Sequence, residues 1–231
     1  MEKMPVFISI IFILTTLLTV YFFIRCCRFT KAGIILLSVW ITGQAIISWS
    51  GFYLVTDTIP PRLVALVLPP LILIVFFFAN RQGRSLIGKL DSRKLTLLHI
   101  VRIPVELCLY GLYLHHFVPG LMTIAGRNFD ILSGLTAPLI WYIGFVRKRI
   151  SPSLLLVWNL ICLALLIHVV ADAVLSAPFP FQHYAFDQPN VAILYFPFVW
   201  LPSVIVPIVL FAHLVVIRQL IRQIRTIPGS V

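Results

Sequence analysis

Acidic residues are scarce in this chain: seven Asp and Glu among 231 residues, against 18 Lys and Arg. Charged residues of both signs make up 11% of it, where a soluble domain carries roughly a quarter. No lysine falls inside any long apolar run, which excludes a Schiff-base chromophore within the helices. The four cysteines, Cys26, Cys27, Cys108 and Cys162, form no C-x-x-C pair, so neither a disulfide framework nor a zinc knuckle is expected. They read as small apolar packing residues. Gly-rich phosphate loops, H-E-x-x-H and H-x-x-x-H spacings are all missing, which removes the usual signatures of nucleotide and zinc-hydrolase chemistry.

What is present is apolar residue after apolar residue. Hydrophobic side chains account for 61% of the chain, and the mean hydropathy is +1.06. A soluble fold of this length has no interior large enough for that surface, so the surrounding medium is read as lipid. The net charge of +11 does not point to nucleic acid, because the basic residues sit in short clusters between apolar runs rather than along one helix face. They read as topology signals and as contacts for anionic lipid headgroups at the cytoplasmic face.

About 20 apolar residues cross a bilayer as a helix. Seven stretches qualify, roughly 4–24, 33–55, 62–80, 95–117, 129–146, 153–176 and 190–217. The expectation is an all-α polytopic integral membrane protein, one transmembrane domain over 1–231. The first run reads as an anchor that stays, since its apolar core is long and no A-x-A-like site follows. Basic clusters follow alternate runs: Arg25, Arg28 and Lys31; Arg81, Arg84, Lys89, Arg93 and Lys94; Arg147, Lys148 and Arg149; Arg218, Arg222 and Arg225. Basic loops mark the cytoplasm, so the N-terminus is predicted outside and the C-terminus inside. This places the chain in a cell membrane, plasma or bacterial inner.

Most of the acids then fall toward the outside, Asp91 being the exception. Prolines interrupt the third run (Pro69, Pro70) and the seventh (Pro197, Pro202, Pro207). They are read first as packing kinks, and second as broken helices around a polar site. The loop at about 177–189 is expected on the interface, with Phe179, Phe181, Tyr184 and Phe186 against headgroups.

The stretch His99 to Asp130 carries the chain's most costly residues. Arg102 and Glu106 lie four apart on one helix face, in what should be hydrocarbon. They read as a local ion pair or as charges facing a cavity. His168 and Asp172 repeat the spacing on the sixth run. Asn128 and Asp130 are expected to cap the fifth run, with Arg127 meeting Asp130, Asp187 or a lipid phosphate. The candidate ligand-binding set is Arg102, Glu106, Asp130, His168 and Asp172. His116, His168 and Asp172 are the candidate ligands for a divalent transition metal, since imidazole and carboxylate suit zinc, iron or manganese. His99 and His213 could hold a haem axially, but each reads better as an interface residue.

Three functions fit these residues. The favoured one binds or transports a small molecule or ion in a polar pocket of the outer half. The others are a membrane metalloenzyme acting on a lipid-like substrate, and a non-catalytic membrane subunit or sensor whose charges only pin helices together.

Overall fold

The computed structural model describes residues 4–27 and 29–226; Arg28, used above, lies outside them. The protein is 74% helical, with no strand among the described residues. Nine α-helices follow one another among the described residues: α1 (Val6–Cys27), α2 (Lys31–Trp49), α3 (Val64–Ala79), α4 (Arg81–Gly88), α5 (Ser92–Leu98), α6 (Arg102–Leu114), α7 (Ile131–Ile140), α8 (Pro152–Leu175) and α9 (Val206–Thr226).

Five helices are long and apolar enough to cross a membrane: α1, α2, the continuous Ser92–Leu114, α8 and Leu201–Thr226. Two of the seven expected runs fall short. α3 has 16 residues and then turns by 89° into α4, and Ile131–Val146 is another short apolar helix. The seventh run also begins later than its apolarity suggests. Residues 190–200 form no α-helix, yet Ala192, Ile193, Leu194, Phe198 and Val199 are buried in the main core. Apolar sequence there marks a buried connection, not a membrane span.

Proline explains the irregular turns. Pro104 has no amide to give Ile100's carbonyl, and the chain enters α6 through a 3-10 turn at His99–Val101. Pro138 in α7 is followed by a wide π-turn at Trp141–Val146, and another π-turn, Leu201–Ile205, holds Pro202 and leads into Pro207. Pro207 leaves Ser203's carbonyl without its usual donor four residues on. The Trp40 indole supplies one from α2, donating to Ser203 O at 2.9 Å. Trp200 returns the tie, its indole donating to Ile41 O at 3.0 Å.

The α3–α4 bend is built on Asn80. Its amide still bonds Phe76 O and closes α3, while its side chain accepts from Gln82 N at 3.0 Å and opens α4. Gly83 permits the fold-back, since a Cβ there would lie 2.4 Å from Phe77 O.

Ser92–Leu114 and Leu201–Thr226 are the central helices, with 61% and 56% of their apolar stretches buried against 28% for α1 and 17% for α2. The outer helices face outward with Val6, Phe7, Ile10, Leu14, Ile35 and Leu36 exposed, as a lipid-facing surface requires. The main core runs through Phe12, Tyr53, Leu66, Leu98, Leu112 and Phe198. A second cluster joins Cys26, Ile87, Leu95, Leu155, Val216 and Leu220. It gathers at one end of the bundle the helix ends that adjoin the basic clusters.

At the other end the 177–189 loop packs down instead of spreading over an interface. Phe179 is buried in the main core and stacks on Phe181 at 5.5 Å. Gln188 Nε2 donates to Tyr113 O at 3.0 Å and Val118 O at 2.6 Å, and Asn190 Nδ2 to Ala173 O at 3.1 Å. Only Tyr184 and Phe186 of the four expected aromatics are exposed.

Candidate functional site

Arg102, the first residue of α6, is 3% exposed and sits where α6, the start of α7, α8 and α9 meet. Its Nη1 donates to Asp130 Oδ1 at 2.7 Å and to Cys162 O at 3.4 Å. Its Nη2 lies 3.1 Å from His213 Nε2. Gly134 lets α7 come this close, because a Cβ there would stand 3.3 Å from Arg102 Cβ and 2.9 Å from Ile103.

The expected Arg102–Glu106 pair does not form. Arg102 turns sideways to the start of α7, while Glu106 Oε2 accepts from Asn128 Nδ2 at 2.7 Å. Asp130 is likewise not the side-chain cap of α7; it serves as the counter-ion of Arg102. Asn128 takes the turn-forming role, accepting from Asp130 N at 2.9 Å through Oδ1 and donating from Nδ2 to Met122 O at 2.8 Å. One amide therefore holds both the Glu106 carboxylate and the Asp130 backbone.

Behind Arg102 lies a second layer. His213 on α9 stacks on His99, ring centroids 3.8 Å apart and planes 16° from parallel. Face-to-face stacking is not the geometry in which two imidazoles bind one iron axially. His213 Nδ1 lies 3.2 Å from Asn159 Oδ1, and Asn159 Nδ2 donates to Leu155 O at 3.0 Å. His99 is fully buried.

Arg102, Glu106 and Asp130 line a cavity of about 100 Å³ among the start of α3, α6, α8 and the π-turn before α9. Its other walls are aliphatic, including Val67, Leu109, Leu166, Val170, Ile205 and Val209, with Pro202 at the π-turn. Glu106 and Asp130 are 3% and 4% exposed, so the charged wall is shielded from bulk solvent. Arg102 and Asp130 offset each other there, which leaves Glu106 with a neutral amide as its only hydrogen-bond partner among the described residues.

His168 and Asp172 do not reach this cavity. Asp172 is held by Arg127, Nε donating to Oδ2 at 2.9 Å and Nη2 to Oδ1 at 2.5 Å, and His168 Nε2 stands 3.6 Å from Oδ2. The two hydrogen bonds it donates to the Asp172 carboxylate hold the Arg127 guanidinium even more firmly charged than usual. Arg127 also lies over the Tyr184 ring at 5.0 Å. His116, whose Nδ1 is 3.1 Å from Gln188 Oε1, belongs to a different contact. The candidate metal ligands His116, His168 and Asp172 thus do not converge, and no group of three His, Cys, Asp or Glu among the described residues is placed to hold a metal.

Asn159 is the site residue that the sequence did not single out, while Asn128 and His213 were expected in other roles. Asn128 carried a signal in the Asn-x-Asp turn at 128–130, and Asn159 in being a polar residue within the apolar first half of α8, beside Trp158.

No curated protein and no solved structure matches the chain. A family model does match, over residues 59–221. That range takes in the whole Arg102 cluster and the cavity. The chain belongs to the family described as "Domain of unknown function (DUF8737)".

Proposed function

We propose that this membrane protein binds, and carries across the bilayer, a small molecule with one positive charge on a short apolar body. The supporting observation is the cavity wall. Arg102 and Asp130 offset each other, so Glu106 supplies one carboxyl group in excess beside aliphatic side chains, and a bound cation would hold it ionised. Charge inside a membrane bundle is costly and gathers at ligand and ion paths. A broken helix at Pro202 borders the same space, as in carriers that bind near the midplane.

In this reading the chain is a seven-pass bundle in a cell membrane, plasma or bacterial inner, N-terminus outside and C-terminus cytoplasmic. α3 and Ile131–Val146 are the two short passes, each 16 residues and about 24 Å long, against a hydrocarbon core of about 30 Å. Support comes from the second core cluster, which collects the ends of the first, third, fifth and seventh runs on one side, where basic residues belong in the cytoplasm.

The test is uptake of radiolabelled butyltrimethylammonium, a permanent cation, into proteoliposomes. Glu106→Gln keeps an acceptor for Asn128 but removes the charge, and uptake is expected to fall at least tenfold, the order that losing one buried charge-assisted contact gives. Equal uptake by parent, variant and protein-free vesicles rejects the reading. One observation favours the alternative of a non-catalytic membrane subunit: Arg102, Asp130, His213 and Asn159 form a chain that ties α6, α7, α8 and α9 without needing a ligand. A parent protein that shows no uptake, yet unfolds readily when that chain is cut, supports it.

A further inference from the structure

At the end of the bundle remote from the Arg127–Asp172 pair, α4 lies at 89° to α3 and is pinned from α9. Gln219 Nε2 donates to Ile87 O at 2.8 Å and to Leu90 O at 2.9 Å, and its Oε1 accepts from the Ser92 hydroxyl. Ile87 is buried beneath α4, while Arg81, Gln82 and Ser85 face outward, the division expected of a helix lying along an interface.

That placement crowds three guanidinium groups. Arg84 on α4 and Arg222 on α9 both bring like charge to Arg218. Arg222 reaches back over the end of α4, its Nη1 standing 3.9 Å from where a Gly88 Cβ would be. None of the three is paired with a carboxylate among the described residues. Asp91, the one acidic side chain among the described residues at this end, has its carboxylate turned to α5, accepting from Arg93 N at 3.0 Å. Arg218 Nε is buried and has no hydrogen-bond partner.

Like charges repel, and a buried donor left unmade is costly. Two tethered elements that hold three forked donors together fit a phosphate, which guanidinium groups bind in bidentate fashion. Val75 and Phe76 toward the end of α3, and Leu86 on α4, are exposed apolar side chains on the same two helices. Those apolar surfaces favour a phosphate that arrives with acyl chains.

We propose that Arg84, Arg218 and Arg222 form a binding site for the phosphate of an anionic phospholipid headgroup. The site depends on neither the cavity nor the direction of the chain across the membrane.

Native mass spectrometry of the full chain, released from detergent holding equal phosphatidylglycerol and phosphatidylcholine, reads it directly. Detergent removes the charged membrane surface, so retained lipid reports a site. Parent protein is expected to keep phosphatidylglycerol preferentially. Each arginine neutralised should lower that preference about fivefold, and Arg84→Gln/Arg218→Gln/Arg222→Gln together about a hundredfold. Arg218→Lys, which keeps the charge and loses the fork, should fall between parent and Arg218→Gln. Arg93→Gln/Lys94→Gln/Arg147→Gln removes the same charge elsewhere and should leave the preference intact. If it reduces retention as much as the first triple, the attraction is diffuse and the site is rejected. Displacement of the lipid by millimolar inorganic phosphate would equally overturn a lipid site. Should the triple variant fail to fold, exposed Arg222→Gln alone decides, unchanged retention rejecting the proposal.

Discussion

Arg102 Nη2 stands 3.1 Å from His213 Nε2, and this contact fixes which imidazole nitrogen carries hydrogen. A guanidinium only donates, so Nε2 must offer a lone pair. Nδ1 then bears the hydrogen and donates to Asn159 Oδ1, 3.2 Å away. Asn159 is oriented for this by its own amide, which donates to Leu155 O. In protein with ¹⁵N-labelled histidine, His213 is expected as the Nδ1–H form. A shift pattern for Nε2–H would break the chain at its centre.

The Arg102–Asp130 bond carries the greatest energetic weight. Both residues are almost wholly buried, and removing one partner of such a pair typically costs about 3–5 kcal/mol. Asp130→Asn is expected to destabilise by that order in thermal unfolding of the detergent-solubilised protein. Arg102→Leu with Asp130→Leu should recover much of the loss, because no unpaired charge remains. If Asp130→Asn unfolds with the parent, the pair is not what joins α6 to α7.

Asn128 is expected to be nearly as sensitive, although it is uncharged. It bonds Glu106, Met122 O and Asp130 N together. Asn128→Ala removes all three, and at about 1 kcal/mol each, more for the carboxylate, the cost is about 3–4 kcal/mol. Asn128→Asp should be worse, since it sets a second carboxylate against Glu106. Unfolding of both variants within about 0.5 kcal/mol of the parent would leave Asn128 as an ordinary turn residue.

The sequence made the all-helical, apolar build legible, and hid the pairings. Apolar run length and alternating basic loops act locally, so they survive reading from one strand of text, and the ends they marked do meet at Cys26, Ile87, Leu155 and Leu220. The partner of Arg102 lies 28 residues away and that of Arg127 lies 45 away; spacing within one helix could not find either. The i, i+4 rule put Glu106 beside Arg102, yet the 3-10 turn before Pro104 and the close approach at Gly134 turn Arg102 toward α7. Apolarity alone also could not separate a lipid-facing span from the buried connection at 190–200.

The 177–189 loop is latched by Arg127. Its guanidinium bridges Asp172 on α8 and the Tyr184 ring in the 177–189 loop. Arg127→Gln removes both contacts, while Gln188 and Asn190 still tie the loop's far end. Amide exchange is expected to quicken around Tyr184 and to stay unchanged around Asn190. Equal rates in parent and variant at Tyr184 would show that the loop is held by its buried Phe179 alone.

Trp40 stands in for the amide that Pro207 lacks. The indole of α2 donates to Ser203 O at 2.9 Å, four residues before the proline. Two effects of Trp40→Phe separate here. It loses little apolar contact, but leaves a carbonyl in the bundle short of a donor, costing about 1–3 kcal/mol. Pro207→Ala restores a backbone donor to Ser203 O, so the double variant should lose less than the sum of the singles. The coupling in a double-mutant cycle is expected to be about 1 kcal/mol, within the range found for residues sharing one network. Strict additivity would mean that Ser203 O is already satisfied within its own helix. α2, the least enclosed of the long helices, would then be held to the bundle by packing and the Trp200–Ile41 bond alone.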